Sequence, residues 1–384
     1  MATESRQSIE HPLGPISPEG IKSQEMFLNM GPQHPSTHGV LRLVLTLEGE
    51  TIVSCTPVLG YLHRGMEKIF ENRTYMQGIR YTDNTDYLSP MLCEIAYAGA
   101  VEQMMGLEPP RRAQYMRLLV GEMQRIGSHL LAIGTYMLDL GAVTPVLWTF
   151  RDREGMMSLF ESLAGSRFTN NYIRVGGVLH DFPRGWLAEC LAWLDTTEKN
   201  MRELEELITG NEVFLARTQG VGYVDPQQAL AYGLTGPMLR GSGVSFDLRV
   251  DQPYMAYREV PVNVQVRQEG DCFARYHVRV QEIHESIRLC RVAIENMPPG
   301  AISAHGPIAL RPVRGETYFA IENSRGEYGF YMLSDGSEYP WRAKMRSPSF
   351  SNLQILPLLL SGYRISDAIA IIGSIDIILG CVDR

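Results

Sequence analysis

Between Met116 and Met137, the apolar residues Met116, Leu119, Met123, Ile126, Leu130, Ile133 and Met137 alternate spacings of three and four through six steps. A strand puts every second residue on one face, so this pattern demands a long helix with a narrow apolar seam, as in a bundle. Gly121, Gly127 and Gly134 weaken that helix locally but let another helix approach closely. Asp139 stands just beyond the seam and Gly141 at the expected end. Neighbouring segments supply partners. Ser89-Pro90 opens a helix running to about Met105, and residues from about Pro145 to Ala164 suit an antiparallel neighbour. Asp181-Phe182-Pro183 announces a helix from about Arg184 to Thr209, whose Glu- and Lys-rich middle reads as a solvated face. Asp271 to Asn296 carries Val280, Ile283, Ile287, Cys290 and Ile294 on one side.

Toward both ends the pattern changes. Val40 to Leu47 and Thr51 to Val58, about the turn Glu48-Gly49-Glu50, read as an antiparallel hairpin, and Tyr318 to Ile321 with Tyr328 to Leu333 flank Gly326 as a second. The expected class is α+β, mainly a helical bundle with antiparallel β-hairpins near the N- and C-termini. An irregular arm over 1–24 precedes a hairpin region over 25–68 and a bundle over 69–300, with an α+β region over 301–384 packed on it. A chain of 384 residues exceeds one comfortable core, so intimately packed subdomains are expected.

A formal charge of −8 gives no electrostatic reason to expect nucleic acid. The six cysteines are scattered without a C-x-x-C pair, which fits neither a disulfide framework nor a self-contained zinc or iron–sulfur site and suits a reducing compartment. No secretory signal is visible at the N-terminus. The apolar runs Leu353 to Leu360 and Ile369 to Leu379 are too short to span a bilayer, so any membrane association is expected to run through partners. No dinucleotide fingerprint follows an expected strand. Asp225 and Phe246 stand where Gly220-Val221-Gly222 and Gly241-Ser242-Gly243 would need a third glycine.

The polar residues that stand out lie in loops. Gly31-Pro32-Gln33-His34-Pro35-Ser36-Thr37-His38-Gly39 carries two imidazoles on a backbone shaped by proline and glycine. By residue type alone His38 is a turn histidine and Tyr87 a half-buried packing residue. Asp139 is a helix-end carboxylate, and Arg64, Arg73 and Arg80 are ion-pair partners.

Gly31-Pro32-x-His34-Pro35-Ser36-x-His38-Gly39-Val40-Leu41-Arg42, followed by Gly60-Tyr61-Leu62-His63-Arg64-Gly65-Met66-Glu67-Lys68, resembles the 49 kDa subunit family of respiratory complex I. The likeness returns at Asn72-Arg73-Thr74, Asp86-Tyr87-Leu88, Asn171 to Gly177, Gly236 to Arg240 and Gly373 to Gly380, and covers nearly the whole chain. It implies a subunit of a proton-pumping NADH:quinone oxidoreductase, peripheral on the cytoplasmic side of the cell inner membrane. The substrate would be a quinone, ubiquinone or menaquinone, with no iron–sulfur cluster, flavin or NAD held by this chain. Implied partners are a small subunit bearing a [4Fe–4S] cluster, a 30 kDa-type subunit and a membrane-arm subunit at the quinone channel. His38 and Tyr87 match residues that bind opposite carbonyls of the quinone headgroup, Asp139 the aspartate that pairs with that histidine, and Arg64 a position near the partner's cluster. A phenol of ordinary pKa about 10 and an imidazolium could supply the two protons that quinone reduction takes up.

The chain departs from the family pattern at two places. Thr169-Asn170-Asn171-Tyr172 stands where relatives often read His-His-Asn-Tyr, and Asn84 where an arginine is common. Both suggest weaker proton coupling and a lower-potential quinone such as menaquinone. Nickel–iron hydrogenase large subunits share the ancestry but need two cysteine pairs. Tyr81 to Tyr87 holds no cysteine, and Ile378 replaces one beside Cys381, which reads as a free buried thiol. The alternative from another class is a scaffold subunit in a ferredoxin-dependent or hydrogenase-related membrane complex.

Overall fold

The computed structural model describes residues 25–33, 39–304 and 309–384. Three strands come first, β1 (Glu25–Met30), β2 (Arg42–Glu48) and β3 (Thr51–Val58), and pair antiparallel in that order. Helices α1 (Met66–Glu71) and α2 (Tyr75–Thr82) lead into α3 (Pro90–Met105), α4 (Arg111–Asp139) and α5 (Val143–Ala164). A two-stranded ribbon, β4 (Ile173–Arg174) with β5 (Gly177–Val178), precedes α6 (Trp186–Ile208). Short helices α7 (Glu212–Thr218), α8 (Pro226–Ala231), α9 (Pro237–Arg240) and α10 (Leu248–Asp251) fill the glycine-rich middle before α11 (Cys272–Glu295). A second antiparallel sheet, β6 (Gly315–Asn323), β7 (Gly326–Ser334) and β8 (Arg342–Arg346), is followed by α12 (Pro348–Leu353), α13 (Leu356–Leu360), α14 (Ile365–Ile375) and α15 (Leu379–Asp383).

The two expected hairpins are therefore each part of a three-stranded sheet. β1 adds to the first and β8 to the second. β1 has no alternating buried face, whereas β8 alternates outward cations with buried Ala343 and Met345 but is only 5 residues long.

α4 is the axis of the molecule, packed between α5 and α11 with α14 and α3 alongside. All seven seam residues are buried. A Cβ added at Gly134 would run into Thr149 of α5, so the helices meet there at backbone distance. The rest of α4 departs from a narrow seam, because its polar side is buried as well. Arg117, Glu122, Arg125 and His129 are each at most 1% exposed. Each finds a charged partner at 2.6–3.1 Å: Arg117 with Glu102, Arg125 with Glu122, and His129 with Glu282. Arg249 and Arg240 extend this network to Asp247 and Glu322. Burying charge is tolerated only when such pairing replaces water.

Apolar side chains form two clusters, one around α3, α4, α6, α11 and the β6–β8 sheet, the other joining the β1–β3 sheet to α9, α13, α14 and α15. Among the described residues, no helix is long and apolar enough to cross a membrane.

Candidate functional site

The loop Asp83–Ser89 joins α2 to α3 and carries Tyr87. Thr74 fixes the start of α2 through a reciprocal cap with Gln77, and Pro90 starts α3, so both ends of the loop are anchored. Within it the Thr85 hydroxyl donates to the Thr82 carbonyl at 2.6 Å, and Asp86 Oδ1 accepts from the Leu88 amide at 3.3 Å.

Asp86 is wholly buried beside Arg325, whose Nη1 lies 3.1 and 3.2 Å from its two oxygens. The same guanidinium donates through Nη2 to Asp376 Oδ1 at 3.1 Å and through Nε to the Asp376 carbonyl at 2.9 Å. Ser128 of α4 and Ser324 accept further bonds from Nη1. Asp376 itself has φ of 60°, a left-handed conformation rare for a residue with a side chain. One arginine thus ties the Tyr87 loop, the centre of α4 and the end of α14 together.

Tyr87 is half-buried, with the Phe168 ring 6.0 Å from its own. Burial pushes its phenol pKa up; Arg325 pulls it down, Asp86 and Asp376 push it up again, and Arg64 pulls it down. The phenol therefore keeps its proton at neutral pH, as a hydrogen-bond donor and acid must.

Arg64, exposed, donates from Nη2 to the carbonyls of Asn84 at 2.8 Å and Gly380 at 3.4 Å. It staples the loop to α15. Gly60 and Leu62 amides donate to the Asp383 carboxylate at 2.9 and 2.7 Å, which brings the 60–65 turn to the same place. Gly380 packs so tightly that a Cβ there would lie 2.8 Å from the Thr85 carbonyl. On the next residue, Leu379 faces Gly39, its Cγ 3.8 Å from where a Gly39 Cβ would lie. His34 and His38 lie outside the described residues.

Asp139, half-buried, is the last residue of α4. It comes eleven residues after Ser128, about 16 Å farther along the helix by its rise per residue. Asp139 and the Asp86–Arg325 cluster thus stand well apart along α4, while Arg64, among the described residues, joins Tyr87's immediate surroundings. Arg80 lies 3.6 Å from Asp83, and Arg73 donates to the Tyr81 hydroxyl at 3.2 Å. Cys381 is buried, 2.8 Å from the Ser347 hydroxyl, and burial pushes its thiol up to about 11. Among the described residues, no three histidine, cysteine or acidic side chains converge as a metal site.

Sequence reasoning missed Arg325, the hub of the site. It precedes Gly326 at the tip of a β-turn, where an arginine is ordinarily solvated, yet it is 1% exposed.

A half-buried loop tyrosine thus stands among Arg325, Asp86, Asp376 and Arg64. The chain matches the family described as respiratory-chain NADH dehydrogenase, 49 Kd subunit, over residues 139–314 and 308–384. It is 49% identical over 363 residues to the NADH-quinone oxidoreductase D subunit of Desulforamulus reducens, covering 94% of this chain and 99% of the relative. The same-named proteins of Geobacillus kaustophilus and Clostridium beijerinckii are 50% and 47% identical over 364 residues each, covering 94% and 95% of this chain and 99% and 98% of theirs. The chain belongs to the 49 kDa subunit family of respiratory-chain NADH dehydrogenase.

Proposed function

We propose that this chain forms the quinone-reduction site of a proton-pumping NADH:quinone oxidoreductase, with Tyr87 and His38 as headgroup ligands and proton donors. The observation that carries the reading is the Tyr87 loop itself, held by Arg325 through Asp86 with a phenol that keeps its proton. The relatives' shared name, which places them in an NADH-quinone oxidoreductase, supports quinone as the substrate.

Reduction of a quinone to a quinol takes up two electrons and two protons, one on each carbonyl oxygen. The electrons come from a [4Fe–4S] cluster in a small partner subunit, and menaquinone or ubiquinone is the acceptor. Tyr87 hydrogen-bonds one carbonyl and yields its proton as negative charge builds on that oxygen. His38, covalently next to Gly39, serves the other carbonyl, and Asp139 stabilises its imidazolium. Gly39 packs on Leu379, and Leu379 adjoins the Gly380 contact with Thr85. Those contacts favour a headgroup held between the two donors. Arg64 lies in the partner-facing turn toward the cluster. A 30 kDa-type subunit and a membrane-arm subunit complete the site, and the chain is held peripherally on the cytoplasmic face of the membrane.

Tyr87→Phe in the assembled complex tests this. NADH oxidation with quinone should fall about 100-fold, the range for loss of a general acid. NADH oxidation with a soluble artificial acceptor, which draws electrons before they reach this chain, should persist. Retention of both activities would make this chain a scaffold and move the headgroup elsewhere.

A further inference from the structure

A second acidic pair involves the first residue of the Tyr87 loop. Asp83 follows α2 and Glu94 sits in the second turn of α3; they are 1% and 0% exposed. The Glu94 carboxylate accepts from the amides of Tyr172 at 3.1 Å and Ile173 at 2.8 Å and from Asn171 Nδ2 at 2.9 Å. Asp83 is different. Both its oxygens are buried, and among the described residues no N–H or O–H donates to either. The nearest cation, Arg80, is itself largely exposed and stands 3.6 Å off.

The two carboxyls are within hydrogen-bonding reach of each other. Neighbouring buried carboxylates cannot both stay ionised, and a single proton between them supplies the missing donor. The proton belongs to the pair rather than to either member, with Glu94 already receiving three other donors.

What Glu94 holds in place leads back to Tyr87. The segment 171–173 continues from Phe168 and Thr169. Thr169 has φ of 51°, a left-handed conformation that a β-branched residue strongly resists. Such strain persists only where the surroundings impose it. Just beyond Thr169 the chain is held by Glu94 and by Arg174, whose Nη1 donates to the carbonyls of Asn171 at 3.1 Å and Ile173 at 2.8 Å. The Phe168 ring rests 6.0 Å from Tyr87, and the Arg153 guanidinium is 5.9 Å from the same Phe168 ring.

We propose that Asp83 and Glu94 share one proton, and that the pair so formed makes Glu94 a positioning residue that keeps Phe168 against the Tyr87 phenol. The inference rests on Tyr87 being the quinone-site acid. Burial raises both carboxyls, Asp83 to about 6 and Glu94 well above the usual range, the latter also through Asp83's charge. The cations facing the pair, Arg80 from α2 and Arg174 from β4, pull the other way. Once the first proton has left, the second is held harder, so the last one departs only as pH rises beyond the ordinary carboxyl range. Two facing carboxylates then repel, and the grip on 171–173 loosens.

Asp83→Asn and Glu94→Gln in membranes carrying the whole complex test this. The wild-type ratio of quinone to artificial-acceptor turnover should fall as pH rises above neutrality. Asp83→Asn gives Glu94 a donor that cannot be lost, and should flatten that fall. Glu94→Gln loosens the segment at every pH and should lower quinone turnover about tenfold or more, as small misplacements at a reacting centre do. Infrared difference spectra of the complex between neutral and alkaline pH should contain a buried protonated-carboxyl band that Asp83→Asn removes. An alkaline fall unchanged in Asp83→Asn, or a spectrum without that band, overturns the proposal. The band reports the shared proton whatever Tyr87 does, whereas full quinone turnover in Tyr87→Phe would remove only the role assigned to the tyrosine.

Discussion

Arg325 and Asp86 stand 239 positions apart in sequence, yet Arg325 Nη1 reaches both Asp86 oxygens within 3.2 Å in a site closed to water. The pair sets the residue before Tyr87. Asp86→Ala leaves the buried guanidinium with Asp376 as its remaining carboxylate, and breaking a buried pair costs about 3–5 kcal/mol. The urea midpoint of the purified chain should fall accordingly. A midpoint equal to wild type would mean that Asp376 alone satisfies the arginine.

Gly380→Ala acts on the same loop from the other side. Its Cβ would sit 2.8 Å from the Thr85 carbonyl and 3.1 Å from that of Asn84, so the backbone leading to Tyr87 must shift. Quinone turnover should drop about tenfold or more, while artificial-acceptor turnover is spared. Equal losses in both assays would point to failed assembly, and no loss to a loop that does not need this spacing.

Acid should loosen the bundle through Glu122. Burial alone would raise its pKa, but Arg125 and Arg249 outweigh burial, with Ser286 and Tyr257 donating as well, and hold it at about 2. A folded-state pKa below the unfolded value gives stability that is present above the unfolded value and lost as pH falls toward the folded one. The urea midpoint should therefore decline from about pH 5 downward. Glu122→Gln should lower it at neutral pH and weaken the decline; an unaltered acid profile would assign the effect to other carboxylates.

The cysteines make a chemical prediction. All six thiols are free and buried. Burial pushes Cys55 and Cys190 up to about 12, far from the thiolate form that reacts. Iodoacetamide at about pH 8, near the ordinary thiol pKa, should leave the folded chain unlabelled and label every cysteine after denaturation. Mass spectrometry reads the difference, and rapid labelling of Cys381 in the folded chain would contradict its packing against Ser347.

The long helices were legible because their signals are local, whereas the short ones, such as α1, α2 and α7 to α10, were not. Met116 to Met137 keeps its period, Pro90 opens α3, and Gly106 with φ of 61° closes it. The β1 and β8 edges were not, since β1 does not alternate along its length and β8, which does, has only 5 residues. The buried charges of α4 were also hidden. Glu122 reads as a helix-surface residue until Arg249, 127 positions away, is folded against it. The site divides the same way. Tyr87, His38, Asp139 and Arg64 stood out through family resemblance, whereas Arg325 and Glu94 gain their meaning from partners that no local spacing announces.

Asp383 receives the amides of Gly60 and Leu62 across 323 and 321 residues, and Gly380 fits beneath Thr85. During synthesis the α2–α3 loop leaves the ribosome long before α14 and α15 exist. N-terminal segments fold first as the chain emerges, but this one has no floor to settle on until residues 376–383 arrive. Closing so wide a loop is slow compared with forming a helix. The Tyr87 loop can take its observed place only after residues 376–383 have been made, so a chain that stops short of them would carry the bundle with that loop unanchored.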